Sequence, residues 1–211
     1  MRKLKLSQAE IDKLVVIDRV EARRLVYGVA SNDACFVIKI AGSNIWQYDL
    51  WHSMLKRCLT GKYKLLNKTY EQVVVCDEWL SFGNFLEWLN KEVGYSGQPV
   101  GFELDKDLMV FGNKCYSPAT CSFVPKHINQ ILTNTVHGVS IKRNQIGRFS
   151  KSFCMYGTTV NVGTFDTADQ CRDAYASVKE SHVRRVAEQY KGVIKPAVYE
   201  NLISWRLDIS S

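Results

Sequence analysis

The spacing of apolar residues switches along this chain from helical to alternating and back, which confines it to a mixed architecture. Over 45–58, Trp46, Leu50, Trp51, Met54, Leu55 and Cys58 recur three or four positions apart, on one face of a helix. Phe82, Phe85, Leu86 and Leu89 do the same over 81–90, with Ser81 as the natural cap. Residues 101–132 behave differently. Phe102, Leu104, Leu108 and Val110 alternate as on a strand, Gly112-Asn113-Lys114 turns the chain, and 121–124 forms a second strand. Pro125 then opens a helix carrying His127, Ile128, Asn129 and Leu132. Beyond a polar linker at 133–137 come strand-like runs at 138–143, 147–154 and 157–163, with a turn at Tyr156-Gly157. Thr167 caps a long helix from 168 to about 191 that Gly192 ends, and Lys195-Pro196 restarts a shorter one to about 205. Upstream, Ser7 and Glu10 form a capping box for a helix over 7–14. The Val- and Ile-rich stretch 15–40 predicts strands, and Gly42-Ser43-Asn44 a turn. The class is α+β, with domains at 1–135 and 136–211.

Composition bounds the partners. An apolar fraction of 46% and a charged fraction of 23% suit a globular protein with a packed core. The formal charge of +7 favours a polyanionic partner, because phosphates neutralised by Lys and Arg release counterions. No run approaches the roughly eighteen apolar residues of a membrane span, so no membrane partner and a cytoplasmic location are expected. Seven cysteines without a Cys-x-x-Cys pair point to a reducing compartment. Cys58, Cys76, Cys115, Cys121 and Cys171 read as small buried hydrophobes. Cys115, Cys121 and His127 lack a fourth ligand, so no structural zinc is expected.

Two segments carry chemistry. Between Gly138 and Phe165 stand Lys142, Arg143, Arg148 and Lys151 and no acid, and alternation puts basic or polar side chains on one sheet face. Such a face can lie in a major groove while the other packs on the long helix. An ordinary solvated face would contain some Asp or Glu. Gly163 and Phe165 serve the fold, Gly163 by permitting close approach of the strand to the helix. Arg184 and Arg185 belong to a solvated helix face. In the other segment, Glu103, Asp105 and Asp107 alternate, hence share a strand face. Carboxylates so close repel unless a cation compensates, which leaves two readings open: a divalent ion, or a charged strand edge balanced by Lys106 and Lys114. Trp51, Trp79, Phe82, Phe85 and Trp88 could stack on bases, but their helical spacing marks core, and His52 is read as packed beside Trp51.

The stretch Gly147-Arg-Phe-Ser-Lys-Ser-Phe followed by Gly157-Thr-Thr-Val-Asn-Val-Gly-Thr-Phe-Asp-Thr-Ala-Asp-Gln-Cys-Arg-Asp-Ala-Tyr resembles the DNA-binding domain of the Apetala/ethylene-response-factor type. That resemblance implies a three-stranded antiparallel sheet on a long helix, binding double-stranded DNA, with Arg143, Arg148, Lys151 and Thr159 facing it. Cys171 and Phe149 depart from its usual Ala and Trp. The tail from Val183 to Leu202 resembles the C-terminal ends of phage endonucleases that carry this domain.

Residues 102–129, from Phe-Glu-Leu-Asp-Lys-Asp through Gly-Asn-Lys-Cys-Tyr to Pro-Lys-His-Ile-Asn, resemble the HNH (His-Me finger) motif of phage homing enzymes, a ββα module. The sequences around Trp51-His-Ser-Met and Val75-Cys-Asp-Glu-Trp look like its lead-in. By position the resemblance implies Asp105 as metal aspartate, Asn113 as loop asparagine and Asn129 as helix ligand, holding Mg²⁺ or another divalent cation. Lys106 stands where the general-base histidine belongs, and a protonated lysine takes no proton from water. Asp107 or His127 would then substitute as base. The expected function is a metal-dependent DNA endonuclease of the homing or nicking type, acting in a host cytoplasm. The alternatives are a DNA-binding regulator with a lapsed site and a protein acting on a host component.

Overall fold

The computed structural model describes residues 24–93, 100–132, 142–143, 146–155 and 158–208. The expected helix at 7–14, the linker at 133–137, the domain boundary at 135/136 and the turn at 156–157 lie outside these residues. By compactness the chain divides into Met1–Phe123 and Val124–Ser211, each described by itself below.

In the first unit the helical spacing produces helix α1, Trp46–Leu59, which buries Trp46, Trp51, Met54, Leu55 and Cys58. A short helix α2, Gly61–Leu66, follows it, and α3, Phe82–Val93, buries Phe82, Phe85, Leu86 and Leu89. These faces close on aromatic rings: Trp79 sits edge-on to Phe85 at 5.1 Å, and Trp51 Nε1 donates to the carbonyl of Trp79 at 2.8 Å. The polar atom of a buried indole is thereby satisfied. Trp51, Trp79, Phe82 and Phe85 are fully buried and Trp88 partly so, which makes them core as expected. His52 packs against Tyr27 at 5.1 Å and Tyr48 at 6.0 Å.

The strands expected over 15–40 are mostly not formed in the described part. Strand β1 is only Lys39–Ile40, paired antiparallel with β2, Ser43–Asn44. The turn between them is Ala41-Gly42, at φ 46° and 82°, rather than Gly42-Ser43-Asn44. Positive φ at both central residues matches the twist of a tight hairpin. Residues 30–35 nonetheless alternate, with Ala30, Asn32 and Ala34 buried and the others exposed. They form an extended strap: Ser31 N donates to Leu80 O at 2.8 Å and Phe82 N to Ser31 O at 3.0 Å. The period of two came from one buried face, not from sheet neighbours.

That strap also starts α3. Ser81 Oγ accepts from Asn84 N at 3.1 Å, the cap its position predicts, and itself donates to Asp33 Oδ2 at 2.6 Å. Asp33 Oδ1 accepts from Gly83 N at 2.7 Å. One of the helix's orphan donors, the Gly83 N–H, is thus satisfied from fifty residues away, with a carboxylate at the positive end of the dipole.

The expected long strand over 102–110 is shorter. Strand β4 is Phe102–Asp105, and the chain then bends. Strand β3, Val74–Val75, runs parallel to β5, Cys115–Tyr116, and β6, Ser122–Pro125, pairs with β4. The division between units falls inside β6. Helix α4, Lys126–Ile131, groups with the second unit, where the His127 ring lies 4.7 Å from that of Tyr190.

In the second unit β7, Lys142–Arg143, β8, Phe149–Met155, and β9, Thr158–Phe165, form an antiparallel sheet in that order. Helix α5, Ala168–Gln189, starts on a full capping box: Thr167 Oγ1 accepts from Gln170 N, and Gln170 Oε1 accepts from Thr167 N. Helix α6, Pro196–Ser204, begins on proline as predicted. Phe153, Val160 and Val162 pack with Tyr175, Ala176, Trp205 and Leu207. Gly163, at φ 136°, has a different reason from the one expected. A β-carbon there would lie 3.0 Å from the Phe165 ring, so it is that side chain, not the helix, that excludes one.

The molecule is therefore α+β, built from small sheets and helices. Among the described residues no helix is long and apolar enough to cross a membrane. Cys58, Cys121 and Cys171 are buried, while Cys76 and Cys115 are half-buried. Burial pushes the thiols of Cys58 and Cys121 up to about 12, so neither is a nucleophile at neutral pH.

Candidate functional site

The acidic segment folds into a knot around the end of β4. Asp105 is 8% exposed, and its Oδ1 accepts from the backbone N–H of Asp107 at 2.9 Å and of Leu108 at 2.7 Å. Those two bonds turn the chain after Asp105, as aspartate side chains do at turns. Asp107 consequently lies off the strand, and the three carboxylates do not share one strand face as their spacing suggested. Burial, with Asp107 nearby, raises the Asp105 carboxyl to about 6, although the two amide donors and Lys106 oppose this.

Lys106 is the compensating cation. Its Nζ lies 2.7 Å from both oxygens of Asp107 and 3.3 Å from Asn113 O, while its side chain is only 8% exposed. The ammonium also stands 5.8 Å from the ring centre of Tyr116, whose hydroxyl accepts from Arg57 Nη1 at 3.3 Å. Asn113 ties the loop shut. Its Nδ2 donates to Lys106 O at 2.8 Å and Cys115 O at 2.7 Å, and its Oδ1 accepts from Cys115 N at 3.1 Å. An amide with two donors and an acceptor is the one side chain type that closes both ends of such a loop.

A divalent ion would need carboxylate oxygens directed at it. One oxygen of Asp105 holds two amides, and both oxygens of Asp107 hold an ammonium. Among the described residues no group of three or more His, Cys, Asp or Glu side chains is placed to hold a metal. The donor set as folded does not fit one. Asn129 and His127 stand half-buried on α4, which belongs to the other unit from Asp105. Burial beside Tyr190 lowers the His127 imidazole, which stays neutral at pH 7.

The sheet of the second unit presents a different surface. Its register sets Ser150 opposite Thr164 and Ser152 opposite Asn161, on the side away from α5. Ser152, Thr159, Asn161 and Thr164 are exposed. This face is hydroxyl- and amide-rich rather than basic. Lys142 pairs with Ser150 in β7, and Arg143 with Phe149. Arg143 is exposed, its guanidinium 5.8 Å from the Phe149 ring and its Nε donating to Gly147 O at 3.2 Å. Arg148 pairs with Asp166 at 2.9 Å, the first acid beyond the stretch that reads as acid-free. Lys151 lies on the helix side, 5.4 Å from the centre of the Tyr175 ring. Alternation predicted Lys151 on the outer face with the arginines. The register instead gives it the same side as Phe153, and its methylenes and charge cover an aromatic ring.

Sequence reasoning missed Asp33, the Arg57–Tyr116–Lys106 stack and the Asp166 partner of Arg148. Each joins residues far apart in the chain or just outside the window read, and no local pattern announces it. No protein-family model, characterised protein or solved structure matches this chain.

Proposed function

We propose that this protein binds double-stranded DNA through the outer face of its second-unit sheet, without needing a metal ion. The observation that carries this reading is the exposed row Ser152, Thr159, Asn161 and Thr164 on a three-stranded antiparallel sheet, with the exposed Arg143 on its edge strand and the half-exposed Arg148 at its end. Hydroxyls and amides of this kind reach base edges and phosphates, and arginines flank them as phosphate or guanine ligands. Charge supports it too. Residues 124–211 hold twelve Lys and Arg against seven Asp and Glu, so most of the net +7 belongs to this unit. Salt bridge Arg148–Asp166 is exposed and weak, and a phosphate can displace the carboxylate.

The test is fluorescence anisotropy of a labelled duplex against salt, with and without chelator. Binding is expected to weaken steeply and log-linearly with salt, to ignore chelator, and to lose about two units of slope in Arg143→Gln/Arg148→Gln. Absence of binding at low salt overturns the reading and favours a protein partner.

A metal-dependent endonuclease is the second reading. It is favoured by the order strand, loop, strand, helix over 102–131 and by the loop-closing geometry of Asn113. It requires the carboxylates to exchange their present partners for an ion. Plasmid nicking with Mg²⁺ or Mn²⁺, lost in Asp105→Ala and in Asn129→Ala, would establish it; equal residual cleavage in all three proteins excludes this site.

A further inference from the structure

Helix α5 bears a group of basic residues that DNA binding by the outer sheet face does not use. Lys179, His182 and Arg185 follow one another three positions apart, so they share one side of the helix. Lys179 is 6% exposed, yet among the described residues no carboxylate pairs with it. Its ammonium stands 5.3 Å from the centre of the Phe153 ring. The adjacent acid, Glu180, is engaged elsewhere, with Arg184 and Arg206 at 3.6 Å each and with Leu207 N at 3.1 Å. His182 is buried, and its ring lies 5.8 Å from that of Phe153. Arg185 Nη2 lies 3.2 Å from His182 Nδ1. Guanidinium has only donors, so Nδ1 accepts and the neutral ring carries its proton on Nε2.

These groups border an open groove of about 370 Å³. Phe153, Val160 and Val178 give it apolar walls, and Ser181, His182 and Arg185 give it hydrogen-bonding ones. Its volume falls in the lower range of small-molecule sites, and an apolar surface with a few convergent polar groups is their usual chemistry. Phe153 and Val160 are the helix-side residues of the sheet, so the groove is not part of the outer face.

We propose that this groove binds a small organic anion, a phosphate, sulfonate or carboxylate group carried on an aromatic or aliphatic body. The anionic group would be met by Arg185, the Nε2–H of His182 and the Ser181 hydroxyl, with Lys179 supplying field from behind. The body would rest on Phe153, Val160 and Val178. Lys179 and Arg185 carry the positive charge here, on either side of the neutral His182 along the helix, and where water is partly excluded an anion is drawn to such charge more strongly than in open solvent. The His182 imidazole is consistent with this: burial lowers it to about 4, and Lys179, Arg185 and, from α4, His127 add to the effect.

The proposal does not rest on DNA binding, and calorimetry on the full chain separates the two. The probes are benzenesulfonate, whose charge is fixed, and neutral benzyl alcohol of similar size. One-site saturable binding of benzenesulfonate is expected, with benzyl alcohol at least about tenfold weaker, the cost of one charge-assisted hydrogen bond. Arg185→Gln should weaken benzenesulfonate by about the same factor. Val178→Asp, at a side chain that is 39% exposed and so tolerant of change, should abolish binding by supplying a resident carboxylate. Circular dichroism checks that each variant is folded. Benzenesulfonate should bind equally well to the chain saturated with duplex. The proposal is overturned if benzenesulfonate does not saturate, if benzyl alcohol matches it, if both folded variants bind as the parent does, or if duplex displaces the probe.

Discussion

The two units treat buried charge in opposite ways. Around β4, each charge is closed by the protein itself: Asp105 by two amides, Lys106 by Asp107 and a carbonyl, the loop by Asn113. Along α5, Lys179 is buried over an aromatic ring, and among the described residues no carboxylate pairs with it. A closed set of charges is a structural device, because desolvation is offset by partners fixed in place. An open set leaves charge that a ligand can complete. Charged residues with similar burial thus differ in meaning, and the difference is visible only in what completes them.

That contrast can be broken most forcefully at Asn113. Asn113→Ala removes three hydrogen bonds and leaves buried backbone groups unpaired, and should cost about 3 kcal/mol of stability. Urea unfolding followed by tryptophan fluorescence reads this, since Trp46, Trp51, Trp79 and Trp88 all belong to the first unit. A cost below about 0.5 kcal/mol would show that the knot is not closed in solution.

Removing one lysine from each unit sharpens the comparison, because the signs should differ. Lys106→Met strips a buried partner from Asp107 and should destabilise the first unit by about 1 kcal/mol, a modest figure because Asp107 is half-exposed. Lys179→Met replaces a buried ammonium, which no carboxylate pairs with among the described residues, by an apolar chain of similar length. It should stabilise the second unit by up to about 1 kcal/mol, read as a raised thermal midpoint followed by circular dichroism. Equal signs would remove the distinction between closed and open sets.

Acidification gives the smallest effect and again opposite signs. Folded Asp105 titrates near 6 against 3.8 for a free carboxyl, so the folded state binds its proton more tightly. The first unit should gain stability as pH falls from about 6 towards 4, a gain that Asp105→Asn abolishes. Folded His182 titrates near 4 against 6.5, so the unfolded chain takes the proton first. The second unit should lose stability as pH falls from 6.5 towards 4, a loss that His182→Gln abolishes. Thermal midpoints at pH 7 and 5 for the parent chain, Asp105→Asn and His182→Gln check both.

Much of the scaffold was legible without coordinates. The aromatic faces of α1 and α3, the Ser81 cap, the Thr167 capping box and the proline start of α6 are local patterns, and local patterns survive folding. The bonds of Asn113 reach only from Lys106 to Cys115, yet the sequence pointed to it as a loop residue only through the resemblance, not through a local pattern. Strand lengths were not. Alternation over 30–35 and over 102–110 marked one buried side, but whether a neighbour pairs with it depends on where the rest of the chain passes.

The sequence by itself determined which residues enter the cores, where the long helices begin, and that positive charge concentrates after residue 123. Only the tertiary structure decided which charges are spent. It turned Asp105 inward onto two amides, gave Asp107 to Lys106 and Arg148 to Asp166, and laid Lys151 on Tyr175. The physical reason is range. Hydrophobic periodicity is read within one element, whereas the partner of a charge is set by a few ångströms of packing between elements far apart in the chain.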